Sequence, residues 1–345
     1  MGIAHLLAIR GANRDTGKSL DRNAHEDDNM IILFLQRIVL GLLTLVFVSG
    51  IVFVAVEALP GDACTAFLGR MAQGTRLENC RRDFGIERPA LTRYAEWSLG
   101  ALQGDLGMSL KRNKPISDII GTRLRNTLVL GLSAALIGVP IAIFLGIIAG
   151  LSRDRPPDLW VSTIAIFAMT IPEFVSATLL VLVFSVWLGW LPGIVTTPPN
   201  APLTEFLSDI ILPIISLALV MTAHILRMVR TSVIDVMESD YVQMAQLKGV
   251  PYWRLVFRHV LPNALLPTIN LVALTIAWLL GGVIVIEVVF NYPGLGRLTI
   301  DAISDRDLAL VQAIALVLAA VYIGLNLFAD LLTLLVNPRL RAMRI

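Results

Sequence analysis

Residues 127–150 read TLVLGLSAALIGVPIAIFLGIIAG and carry no charged side chain. A helix of about 20 mostly apolar residues crosses the roughly 30 Å hydrocarbon layer of a bilayer, so this stretch reads as a membrane span. Five further runs of the same kind occur: Ile31–Val56 before it, then Leu159–Leu188, Ile210–Leu226, Leu265–Ile286 and Leu308–Val336, of which Ile210–Leu226 is the shortest. Lipid offers no partner to an unpaired backbone group, so all six are expected to be helices. The chain therefore reads as an all-α polytopic membrane protein with six transmembrane helices.

Composition agrees with this. Of 345 residues, 56% are hydrophobic and 16% are charged, against about 25% charged in soluble domains. The mean hydropathy is +0.75. These values exclude an ordinary cytosolic enzyme, a disordered chain and a disulfide scaffold. The net charge of +2 points to no nucleic acid, and two cysteines are too few for a zinc site. The surroundings implied are membrane lipid.

Lys and Arg in the loops set the orientation. Arg153 and Arg155 follow the second run. Arg227, Arg230, Lys248, Arg254 and Arg258 follow the fourth, and Arg339, Arg341 and Arg344 end the chain. Opposite them, Pro192–Asp209 has no Lys or Arg, and Val288–Asp307 has only Arg297 and Arg306. Both termini are thus expected in the cytoplasm. The division that follows is a polar, disordered tail (1–29), a first span (30–57), an external loop (58–125), a core with five spans (126–336) and a cytoplasmic C-terminus (337–345). The external loop holds eleven Lys or Arg, an accepted exception because long loops translocate largely regardless of charge. Cys64 and Cys80 lie in this loop, where a disulfide is chemically permitted and would be worth about 3 kcal/mol. A bonded pair and two free thiols both fit the sequence.

The tail contains Gly11-Ala-Asn-Arg-Asp-Thr-Gly17-Lys18-Ser19, with five residues between the glycines where a phosphate-binding loop needs four, and no preceding strand. Nothing in the tail resembles a secretion signal. The four histidines His5, His25, His224 and His259 form no His-x-x-x-His pair, and no Gly-x-Ser-x-Gly turn occurs, so no catalytic residue, metal site or bound cofactor is expected.

The segment 227–264 between the fourth and fifth runs is the most informative. Met237, Tyr241, Met244 and Lys248 share one helical stripe. Gly249 is placed to end that helix in the left-handed conformation, with Pro251 as a stop, and a second piece, Tyr252–Val260, runs to Leu261-Pro262. Small side chains at Ala245 and Gly249 would let another surface approach closely. Periodicity fits a helix lying on lipid headgroups and a docking element for a cytoplasmic partner equally well.

Inside the spans, Pro172 is expected to kink or break the third helix. Glu173 beside it is an intramembrane acid and so a candidate pathway residue. Asn326 and Asp330, four apart on the sixth helix, are read as interhelical contacts. His224 is read as packing rather than a proton relay. Glu57 and Glu287 fall at helix ends, where a carboxylate can reach water.

Ala245-x-x-x-Gly249, nine residues, then His259-Val-Leu261-Pro262 resembles the "EAA" loop of ABC-importer permeases, with Gln243 in place of Glu, Met244 in place of the first Ala and His259 in place of Ile. Further stretches resemble the first permease subunit of dipeptide and oligopeptide importers: Phe34-Leu-x-Arg37, Pro60-Gly61-Asp62, Asp83-Phe-Gly85 ahead of Pro89, Tyr94 and Trp97, Gly104-Asp-Leu-Gly107-Met-Ser109, Ile171-Pro172-x-Phe174, Glu287-x-x-Phe290-x-Tyr-Pro-Gly-Leu-Gly296, Arg306-Asp307 and Pro338-Arg-Leu-Arg341. The resemblance covers residues 31–345. It implies a type I ABC importer permease fold in the bacterial inner membrane and no enzymatic activity of the chain's own. It also implies three kinds of partner: a homologous second permease, two ATP-binding subunits that carry the ATP and Mg, and an extracytoplasmic solute-binding protein. The coupling loop would comprise Tyr241, Gln243, Met244, Ala245, Lys248, Gly249, His259, Leu261 and Pro262. Cargo would be di- or oligopeptides or related small solutes such as nickel or glutathione. A secondary transporter driven by an ion gradient is the alternative, although Pro172-Glu173 has no matching interruption in the other half.

Overall fold

Helices 24 to 36 residues long dominate the architecture. The computed structural model describes residues 34–58, 61–83 and 85–336. The tail with its near-miss glycine motif, Pro60, Phe84 and the C-terminal stretch with Pro338 and Arg341 lie outside the described residues.

Helix α1 (Phe34–Glu57) is almost wholly exposed along its apolar length. It is tied to the bundle near its start, where Arg37 pairs with Asp330. Beyond its far end come α2 (Ala63–Leu68), α3 (Gly74–Asp83) and α4 (Ala90–Leu102). A two-residue antiparallel ribbon follows, β1 (Met108–Ser109) against β2 (Lys114–Pro115), with Ser109 opposite Lys114.

The second span, α5, runs over Ile116–Leu151. It starts eleven residues before the expected Thr127, so residues 116–125 belong to the helix and not to the external loop. The third expected span is two helical limbs. α6 (Pro156–Thr170) stops at Ile171, and α7 restarts as Glu173–Leu180 and continues through a π-helical stretch, Val181–Trp187. The limbs are bent by 105°. Pro172 thus breaks the span outright, since it cannot donate back into α6 and sits as the residue that opens α7.

Helix α8 (Ile211–Met237) extends past the expected Leu226, so Arg227 and Arg230 are helix residues and not loop residues. A short helix, α9 (Asp240–Leu247), comes next. α10 begins as Tyr252–Leu255, passes through a π-helical stretch Val256–Val260 and continues as Leu261–Val289. The expected separate piece Tyr252–Val260 is therefore the first part of the fifth span. α11 (Leu295–Ser304) is short and amphipathic, and α12 (Leu308–Val336) is the last span.

Helix α8 is the most buried of the spans. It lies along α5, where Ala134, Gly138, Ala142, Gly146 and Gly150 recur every fourth residue and are all buried. A Cβ added at Gly146 would lie 2.7 Å from Val229 Cβ and 2.8 Å from the Leu226 carbonyl, and one at Gly150 would lie 2.7 Å from Val233 Cβ. In lipid, helices gain little from hydrophobic exclusion and depend on close van der Waals contact, which this strip of small residues permits.

Candidate functional site

The loop between α8 and α10 builds a short helix followed by a sharp turn. Gln243 donates from Nε2 to the Glu238 carbonyl (2.9 Å), holding the start of α9 to the end of α8. Val242 is fully buried and anchors α9 to the bundle. At the other end Gly249 has φ +75°, with open space around it, and Pro251 precedes α10. Left-handed backbone of this kind favours glycine, and the reversal it produces lets α9 fold back beside α10. The Tyr241 hydroxyl donates to the His259 carbonyl (3.3 Å) and Asn263 donates to the same oxygen (2.8 Å).

Exposure divides these residues into two sets. Tyr241, Gln243, Met244, Leu247, Lys248 and Gly249 face outward, with Leu247 83% exposed. Ala245 and Leu261 instead pack against the buried core. Met237 ends α8 and does not share the face of α9. Beside this patch the Trp253 ring stacks on Phe257 and meets Tyr252 edge-on, and all three are exposed. The result is a rigid apolar knob of about two helical turns. Two residues of it, Val242 inside and Leu247 outside, fell outside the expected set, although the i, i+5 spacing of Val242 and Leu247 places them on different faces of a helix.

The knob is coupled to the bent span. Glu238 pairs with Arg153 in the turn between α5 and α6. About two turns back along α8, Arg230 donates from Nη2 to the buried carboxylate of Asp158 (2.7 Å), which also accepts from Ser162 (3.0 Å) and the Asp154 amide (2.9 Å). Two ion pairs and the shared helix α8 thus connect the root of α9 to the start of α6.

At the other end of the bundle, the Glu287 motif forms a buried latch. Glu287 has no exposed surface, which corrects the expectation that it reaches water. Its carboxylate accepts from the Thr127 hydroxyl (2.6 Å) and the Arg297 amide (3.0 Å), so it closes the first turn of α11. Any Cβ on Gly294 or Gly296 would run into that carboxylate or the α10 backbone. Asn126 donates to Pro199 and Pro293 carbonyls (3.1 and 3.0 Å), and Tyr292 donates to the Asn126 carbonyl (2.8 Å). Burial pushes the Tyr292 phenol up, with the Glu287 charge adding to it. Asp307 accepts from Ser109 and lies 3.9 Å from Arg112, joining two of the quoted motifs.

Glu57 pairs with Arg93. Asp330 makes its interhelical contact with Arg37, but Asn326 donates to the Tyr322 carbonyl within its own helix (2.9 Å) and bridges to no other helix among the described residues. The structure joins Cys64 to Cys80 by a disulfide with Cα atoms 5.9 Å apart. Among the described residues no group of three or more His, Cys, Asp or Glu is placed to hold a metal.

The sequence pattern of the family "Binding-protein-dependent transport system inner membrane component" matches residues 142–342, and that of its N-terminal partner region matches residues 30–131. The chain belongs to this family of transport permeases. The resemblance to peptide-type ABC-importer permeases is thereby borne out, as is the all-helical ABC permease fold. Relatives of the permease include the "Glutathione transport system permease protein GsiC" of Escherichia coli strain K12, 37% identical over 303 residues, covering 88% of this chain and 96% of that protein. A "Putative peptide transport system permease protein" of Brucella abortus strain 2308 is 34% identical over 313 residues, covering 90% and 99%. A solved structure, an amino acid ABC transporter with histidines, overlays with a TM-score of 0.48 at 18% identity, covering 65% of this chain and 94% of that one.

Proposed function

We propose that this permease is one transmembrane half of an ATP-driven importer of peptides, or of peptide-like solutes such as glutathione. It sits in the bacterial inner membrane with both termini in the cytoplasm. A homologous permease supplies the other half of the pathway, two ATPase subunits bind ATP and Mg, and a solute-binding protein delivers cargo from outside. The observation that carries this reading is the outward-facing knob of α9 and early α10, held by Gly249 and rooted by Val242. Its exposed face, with Tyr241, Met244, Leu247 and Lys248, is the surface an ATPase groove would grip.

Closure of the ATPase pair moves α9 as a rigid body with α8 and α10. The Arg153–Glu238 and Arg230–Asp158 pairs carry that motion to the bent span α6–α7. A swing from about 1:99 to 99:1 between inward-open and outward-open states needs about 5.5 kcal/mol of differential binding by ATP and loaded binding protein. The chain contributes the gate and its linkage, and hydrolysis takes place on its partners.

The test is uptake by vesicles containing the assembled importer, with ion gradients collapsed and ATP supplied inside. Persistent uptake supports this reading. Uptake that follows the ion gradient and ignores ATP supports a secondary transporter and defeats it.

A further inference from the structure

A cleft of about 600 Å³ opens between α8 and α10, lined by His224, Arg227, Met228 and Thr231 on one side and Leu271, Leu274 and Thr275 on the other. It runs from the middle of α8, where His224 is the central residue of 27, toward the end that leads into α9, where Thr231 lies; Leu271, Leu274 and Thr275 face it from α10. The helix α7, which restarts after the break at Pro172, packs against the same two helices.

The two arginines of α8 differ in their surroundings. Arg230 is paired with Asp158, whereas Arg227, one turn on from His224, is in no ion pair among the described residues. Its guanidinium is exposed into the cleft and always charged. A charge on a spanning helix is costly unless it meets water or a partner. The cleft supplies the water, and its walls of Met228, Leu271 and Leu274 leave room for an apolar side chain beside the charge.

We propose that Arg227 recognises the terminal carboxylate of a peptide cargo as it crosses, forming a selective station on the cytoplasmic half of the pathway. This rests on the peptide-importer reading above. The guanidinium offers a fork of donors that matches a carboxylate, and a peptide whose C-terminus is amidated presents no such charge. Made in the state that limits crossing, a charge-assisted contact of this kind changes the rate about tenfold or more.

The experiment compares maximal uptake, at saturating external peptide, of one dipeptide as free acid and as C-terminal amide, in vesicles with the complete importer. Saturation removes the preference of the binding protein, which acts on the half-saturating concentration. With the native chain, the free acid is expected to move at least about tenfold faster than the amide. Arg227→Gln should lower the free-acid rate about tenfold and the amide rate less than twofold, and Arg227→Lys should recover most of the loss. Equal loss for both peptides would assign Arg227 to folding or coupling and overturn the proposal, as would a native importer with equal rates. A native importer that takes up neither peptide would overturn the peptide reading itself, and a lipid-headgroup role would leave both rates unchanged in Arg227→Gln.

Discussion

Glu287 shows how one buried carboxylate can hold a turn together. Its two oxygens take the Thr127 hydroxyl and the first amides of α11, and Gly294 and Gly296 make room for it. Replacing it with Leu leaves those donors buried and unpaired, at about 1–3 kcal/mol each. Glu287→Leu is expected to lower the thermal midpoint of the purified protein by several degrees, and Glu287→Gln by less. An unchanged midpoint for the Leu variant would show that the latch is dispensable. Asp62 offers a pH test at the same end of the molecule. Burial raises its pKa, but the Thr65 amide and the Arg81 guanidinium outweigh that and hold the carboxyl below its ordinary value. A depressed folded-state pKa means that its contribution is complete above the ordinary carboxylate range and is lost as pH falls through the folded value. Amide exchange over residues 61–83, corrected for intrinsic rates, should stay constant from pH 7 to 5 and rise below about pH 4. Asp62→Asn should abolish that dependence.

Among the elements, α9 and its turn are the ones to which the proposal assigns coupling. Gly249 has φ +75° and nothing within reach of a Cβ, so a larger residue there meets backbone strain and not a clash. Left-handed backbone costs an L residue about 1–2 kcal/mol, enough to re-aim α9 without unfolding the spans. Gly249→Val is expected to insert normally and to leave ATP hydrolysis by the complex running while uptake falls at least tenfold. Normal uptake in that variant would remove the docking role from this turn. The α5–α8 pair is the tightest-packed part of the bundle around it. Its every-fourth-residue strip of Ala and Gly brings the two backbones into close contact.

For the molecule as a whole, α1 stands apart from the other spans. Its exposed length touches the bundle at Arg37–Asp330 and near Gly41, where a Cβ would lie 2.9 Å from Ile323. Arg37→Asp is expected to weaken retention of α1, seen as faster proteolysis between α1 and α4, and the double exchange Arg37→Asp with Asp330→Arg should restore it. Failure of the double exchange would mean that the pair is not what fastens α1.

Periodicity and chain chemistry were enough for everything local. An uncharged run long enough to cross a bilayer must become a helix, and Gly249 followed by Pro251 favours a turn, because each depends only on neighbours a few residues away; Pro172 allowed a kink or a break, and Pro140 and Pro267 lie inside continuous helices. The quoted family motifs added the kind of machine to which such helices belong. The 105° bend, the burial of Glu287 beneath residues 160 positions away and the extension of α8 that brings Arg227 to the cleft beside α10 were decided by the folded molecule. Each of these depends on which helix faces meet, and a single line of residues does not record that pairing. The strip Ala134-Gly138-Ala142-Gly146-Gly150 lay open in the sequence, but it became an interface only once α8 packed against it.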